Sequence, residues 1–153
     1  EGIGYRQARS MELSAMREWR GCRDEALALD KAARGEANPA QYRASAVMLE
    51  SCESALGPGV AGLALEERMR AFALAVQNHL KAGDPVAARR ALDTFKTGFA
   101  DRDLFYADGT SFIETMTVLV GLTDGQTPRD LLLVNVGSKL RAEIRRVRQW
   151  AHN

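Results

Sequence analysis

Residues 69–99 read MRAFALAVQNHLKAGDPVAARRALDTFKTGF. Apolar side chains recur there every three or four positions: Met69, Phe72, Val76 and Leu80 before Gly83-Asp84-Pro85, then Ala88, Leu92, Phe95 and Phe99 after it. That period lines them along one stripe of a helix. Glycine closes helices, and proline suits the first helical position because its missing N–H would be unpaired there anyway. Asp84 is placed to accept from the free N–H groups that follow it. The stretch therefore predicts two helices, over 63–82 and 85–99, folded back on each other through a tight turn.

The rest of the chain is punctuated the same way. Its four prolines are Pro39, Pro58, Pro85 and Pro128. Three of them follow a good N-cap residue: Asn38, Asp84 and Thr127. Gln41 and Asp130 stand three positions beyond Asn38 and Thr127, and Glu114 three beyond Ser111, so each makes a candidate capping box. Further helices are predicted over 5–34, with Leu13, Met16, Trp19, Cys22, Ala26, Leu29 and Ala33 on one stripe, and over 39–56, with Tyr42, Ala46, Leu49 and Cys52. Two more are predicted over 112–122 and 128–150. No segment alternates apolar and polar residues in twos, so no sheet is expected. The 153 residues read as one all-α domain of about six helices in three antiparallel hairpins, either a bundle or a short solenoid. The turns at 35–38, 83–84 and 123–127 recur roughly every 40–50 residues, a period typical of stacked helical hairpins.

One segment resembles a tetratricopeptide-repeat hairpin: Phe72, Ala75, Val76 and His79, then Gly83-Asp84, then Ala88, Leu92 and Phe95. Small and aromatic residues fall roughly where the two helices of that family interlock. His79 stands where an aromatic is usual and Val76 where glycine or alanine is usual. The likeness covers about residues 69–99 and implies a protein-interaction scaffold.

The composition is that of a globular domain: 46% hydrophobic and 27% charged, with a formal net charge of +1. A chain of this size buries a real core. Near-neutrality gives no general pull toward nucleic acid. The longest apolar runs, such as Leu131 to Val134, are far too short to span a bilayer. The chain starts at Glu1, and the expectation is that a targeting segment has been removed.

Cys22 and Cys52 are the two cysteines. Each lies fifteen positions from Ala37, the centre of the turn between the first two helices. Equal distance from the turn of an antiparallel hairpin means equal height, about 22 Å from the turn at 1.5 Å per residue. Both cysteines fall on stripes that face each other, so a disulfide is expected, and with it an oxidising compartment such as a periplasm.

Candidate chemistry is thin. His79 and His152 lack a neighbouring cysteine or carboxylate at a metal spacing. Asp101, Asp103 and Asp108 fail the calcium-loop pattern because Phe105 occupies an alternate ligand slot. Neither an enzyme nor a metal site nor a cofactor is expected. The predicted last helix carries Lys139, Arg141, Arg145, Arg146 and Arg148. These either complement its dipole or offer a face to an acidic partner or lipid head group, which allows peripheral membrane association. Helices 112–122 and 128–150 are apolar over more than one face, as central or contact-forming helices are.

The sequence thus predicts a non-catalytic binding or adaptor protein of the cell envelope, holding a protein or peptide partner. The alternative is a carrier of a lipid or sterol between its helices. The residues expected to line the binding surface are Phe72, Val76, Phe112, Met116, Leu119, Leu133 and Val136.

Overall fold

Asn38 and Asp84 start helices for the reason read from the sequence. The Asn38 side chain accepts from the Ala40 N–H at 3.0 Å, and Asp84 Oδ1 accepts from the Ala87 N–H at 3.0 Å. The computed structural model describes residues 3–100 and 102–123. Among these the helices are α1 (Ile3–Glu36), α2 (Pro39–Ser54), α3 (Leu65–Lys81), α4 (Pro85–Gly98) and α5 (Phe112–Thr123), with a 3-10 turn at Pro58–Val60. No strand is present among the described residues beyond one isolated bridge, Phe105 to Ser111. The helix predicted over 128–150, its basic face and the turn at 123–127 lie outside the described residues.

Consecutive helices pack on one another, α1 on α2 through to α4 on α5, and α5 also touches α3. Two-turn punctuation sets this up. The Asn38 N–H donates back to the Ala33 carbonyl and the Asp84 N–H to the His79 carbonyl. Both are the wrapped bond of a helix C-terminus that ends on a left-handed residue. Gly83 fills that position after α3 with φ +79°, and Ala37 fills it after α1 with φ +50°.

α3 is the central element and separates two apolar clusters. Toward α4 and α5 it presents Met69, Phe72, Val76 and Leu80, which meet Leu92, Phe95, Phe99, Phe112, Met116 and Leu119. The rings of Phe95 and Phe112 lie 5.0 Å apart, within the range of favourable aromatic pairs. Toward α1 and α2 it presents Ala71 and Ala75, which meet Met16, Trp19, Ala26, Leu49 and Cys52. Cys22 and Cys52 are bridged, with their Cα atoms 5.7 Å apart.

Polar side chains fix α3 between its neighbours. Buried Asn78 donates to Asp30 of α1 at 3.1 Å and to Ser45 of α2 at 3.2 Å, while Ser45 donates to the Ala26 carbonyl. Arg68 holds the α2–α3 connection. Its guanidinium donates to the carbonyls of Val60, Ala61 and Leu63 and forks onto both oxygens of Glu53 at 3.1 and 2.5 Å. A buried cation so fully hydrogen-bonded is tolerated where an unpaired one is not.

Candidate binding cleft

A cleft of about 840 Å³ runs between α3, at the edge of the core, and residues 102–106. On α3 it is lined at helical spacing by Leu65, Met69, Ala73 and Leu74, with Gln77 at one end. The floor is completed by Phe112, the first residue of α5. The size suits several side chains or one small ligand. Charges stand at the rim: Glu66 and Arg70 pair with each other at 2.7 Å, and Arg102 and Asp103 rise from the opposite wall.

The second wall is a small hairpin whose shape follows from its residues. Tyr106 N–H donates to the Thr110 carbonyl and Phe112 N–H to the Leu104 carbonyl, at 2.9 and 2.8 Å. The turn closes with Gly109 at φ +86°, a conformation that glycine adopts without strain. Asp108 Oδ1 accepts from the Thr110 N–H and hydroxyl. Asp103 joins hairpin to helix: it accepts from the N–H groups of Leu104 and Ile113 and from the Ser111 hydroxyl. Ser111 Oγ in turn accepts from the Glu114 N–H, the capping contact expected there. Leu104 and Tyr106 pack inward on the core, and Phe105 points out, 69% exposed. Gln77 Nε2 donates across the cleft to the Tyr106 hydroxyl at 3.4 Å.

The structure divides the residues expected to line a binding surface. Phe72, Val76, Met116 and Leu119 are shut in the core between α3, α4 and α5. The second apolar face of α5 is covered because α3 and α4 both pack on it. Phe112 is equally buried, yet its edge reaches the cleft floor. Leu133 and Val136 lie outside the described residues. Leu65, Leu74, Phe105 and Tyr106 line the cleft and stand outside the expected set. The apolar triplet Leu104-Phe105-Tyr106 inside an acidic connection was the available signal for two of them.

Further titratable groups lie outside the cleft. His79 is buried in α3 with Nε2 against Glu50 Oε1. Burial holds the Lys81 ammonium below its ordinary pKa and the Tyr42 phenol above its own, and the two stack 5.3 Å apart. The hydrogen bond from Arg20 lowers the Glu67 carboxyl, which also accepts from Arg23 at 2.8 Å. None of these side chains lines the cleft. No group of three or more histidine, cysteine or carboxylate side chains placed to hold a metal ion occurs among the described residues. No described helix is long and apolar enough to cross a membrane. The arrangement suits non-covalent capture of an apolar group flanked by charge. No family model, curated protein or solved structure matches this chain.

Proposed function

We propose that the protein is a non-catalytic binding module of the cell envelope that captures a peptide segment of a partner protein in the cleft between α3 and the 102–112 hairpin. One observation carries the reading: an apolar floor of half-buried Leu65 and Leu74 with the edges of buried Met69 and Ala73 lies beneath an open, charged rim, with Phe105 standing exposed on its wall. Exposed aromatics beside an apolar trough are typical anchors of protein recognition. A lipid carrier would instead bury most of its ligand's surface in a closed cavity. The Cys22–Cys52 bridge is consistent with an oxidising extracytoplasmic location, and the periplasm is the compartment that fits this reading best.

A displayed peptide library panned on the oxidised chain tests this. The enriched peptides should share an apolar residue next to a charge. Their affinity should fall at least about tenfold for Phe105→Glu, the scale of a lost interface anchor, and stay unchanged for Val47→Glu on exposed α2 surface. Absence of any enrichment, or a lipid recovered by mass spectrometry from natively purified protein, would turn the assignment toward the lipid carrier.

A further inference from the structure

α1 has 34 residues and α2 has 16, so at about 1.5 Å per residue α1 is roughly 27 Å the longer. The Cys22–Cys52 bridge fixes which end projects. α2 stops two residues after Cys52, so the surplus length is the N-terminal part of α1. Every side chain from Gly4 to Ala15 is exposed or half-exposed. A helical stretch of that length is marginal in water by itself.

This stretch carries an apolar face. Tyr5 and Leu13 are 63% and 59% exposed, and with Ala8, Arg9 and Glu12 they line a shallow cleft of about 490 Å³ that is closed at one end by Met16, Leu63 and Ala64 of the same chain. Tyr5, Arg9 and Glu12 recur at steps of four and three, the spacing of a coiled-coil seam, and Met16, one step further, is already buried in the core of its own chain. The set is also self-complementary on reversal. An antiparallel second copy, centred between Ser10 and Met11, brings Ala8 level with the other copy's Leu13 and Arg9 with its Glu12, and leaves Tyr5 at the level where the other copy's core begins with Met16. The two-fold symmetry makes each pairing occur twice. A parallel arrangement would set Arg9 against Arg9 and Glu12 against Glu12, which charge repulsion disfavours. Arg9 and Glu12 inside the seam fix register as polar seam residues do.

We propose that this face of α1 is a self-association site, where two copies of the chain pair antiparallel through residues 5–16 with Arg9 and Glu12 of each copy exchanging ion pairs. The interface spans about three helical turns, well under a standard interface, so the dimer should be weak and dissociate on dilution.

Sedimentation velocity on the whole oxidised chain, from about 5 to 500 µM, should show a monomer passing to a dimer. The transition should move to higher concentration in high salt, because the ion pairs are screened. Arg9→Glu sets like charges opposite each other and should weaken the dimer at least about tenfold, with unchanged circular dichroism. The double variant Arg9→Glu/Glu12→Arg should restore it to within about threefold, because reversal exchanges both signs. A chain that stays monomeric throughout overturns the proposal, as does failure of the double variant to rescue. A drop in the monomer's unfolding midpoint on Arg9→Glu also overturns it, by showing that another part of the same chain covers the stripe.

Discussion

Ala37 follows α1 with φ +50°, where its Cβ crowds the backbone. The position is required, because the Asn38 N–H reaches the Ala33 carbonyl only when the intervening residue turns left-handed. The left-handed conformation costs a non-glycine residue roughly 1–2 kcal/mol, against about 0.5–1 kcal/mol of extra unfolded-state freedom for glycine. Ala37→Gly should therefore raise stability by about 0.5–1 kcal/mol in urea titration, and a loss would show that the turn is not strained. Glu67 gives a second test. Its pKa is lowered by Arg20, so its stabilising effect is present above the ordinary carboxyl range and fades as pH falls through the lowered folded value. Glu67→Gln should cost less than about 1 kcal/mol at pH 7, since the group is partly exposed, and progressively less as the carboxyl protonates in acid. A pH-independent difference would assign the effect to packing.

At the scale of elements, the bridge between α1 and α2 constrains the unfolded chain more than it alters the folded one. Closing a loop of 30 residues removes chain entropy equivalent to about 3.5 kcal/mol. Reduced protein, or Cys22→Ser/Cys52→Ser, should unfold at correspondingly lower denaturant with the same native helical signal. Loss of helicity without denaturant would mean that the hairpin depends on the bridge to form. The starts of α2, α4 and α5 and the end of α3 were legible because proline, glycine and the capping residues mark them locally, whereas α3 begins after Ala64, which offers no side-chain cap. The symmetry of Cys22 and Cys52 about Ala37 was legible for the same reason, since a two-residue turn fixes register. The role of α3 was not. Its apolar stripe through Met69, Phe72 and Val76 hid a second buried face of Ala71, Ala75 and Asn78, whose small and polar side chains look like solvent-facing positions until two helices close over them. The Arg68 lock was equally hidden, because its partners come from Glu53 and from carbonyls that carry no sequence signal.

The whole molecule hangs on that sharing of α3. Met116 of α5 is 1% exposed and packs in the cluster on one side of α3, whereas Trp19 of α1 packs in the cluster on the other. A carboxylate at position 116 has no hydrogen-bonding partner in an apolar cluster, a burial that costs several kcal/mol and is among the few ways one substitution unfolds a domain. Met116→Glu should therefore lower stability by more than about 4 kcal/mol, whereas Phe105→Glu, at an exposed position, should fall within about 0.5 kcal/mol of the parent. Because α3 contributes to both clusters, damage beside Met116 should be felt at Trp19. In a Trp150→Phe background, Trp19 fluorescence and far-ultraviolet circular dichroism should report one coincident unfolding transition for both the parent and Met116→Glu. Separate transitions, with Trp19 keeping its native emission after α5 has melted, would show two independent halves joined by a common helix. In that case the disulfide-bonded half, which carries the projecting stripe of α1, would fold without the half that carries the cleft.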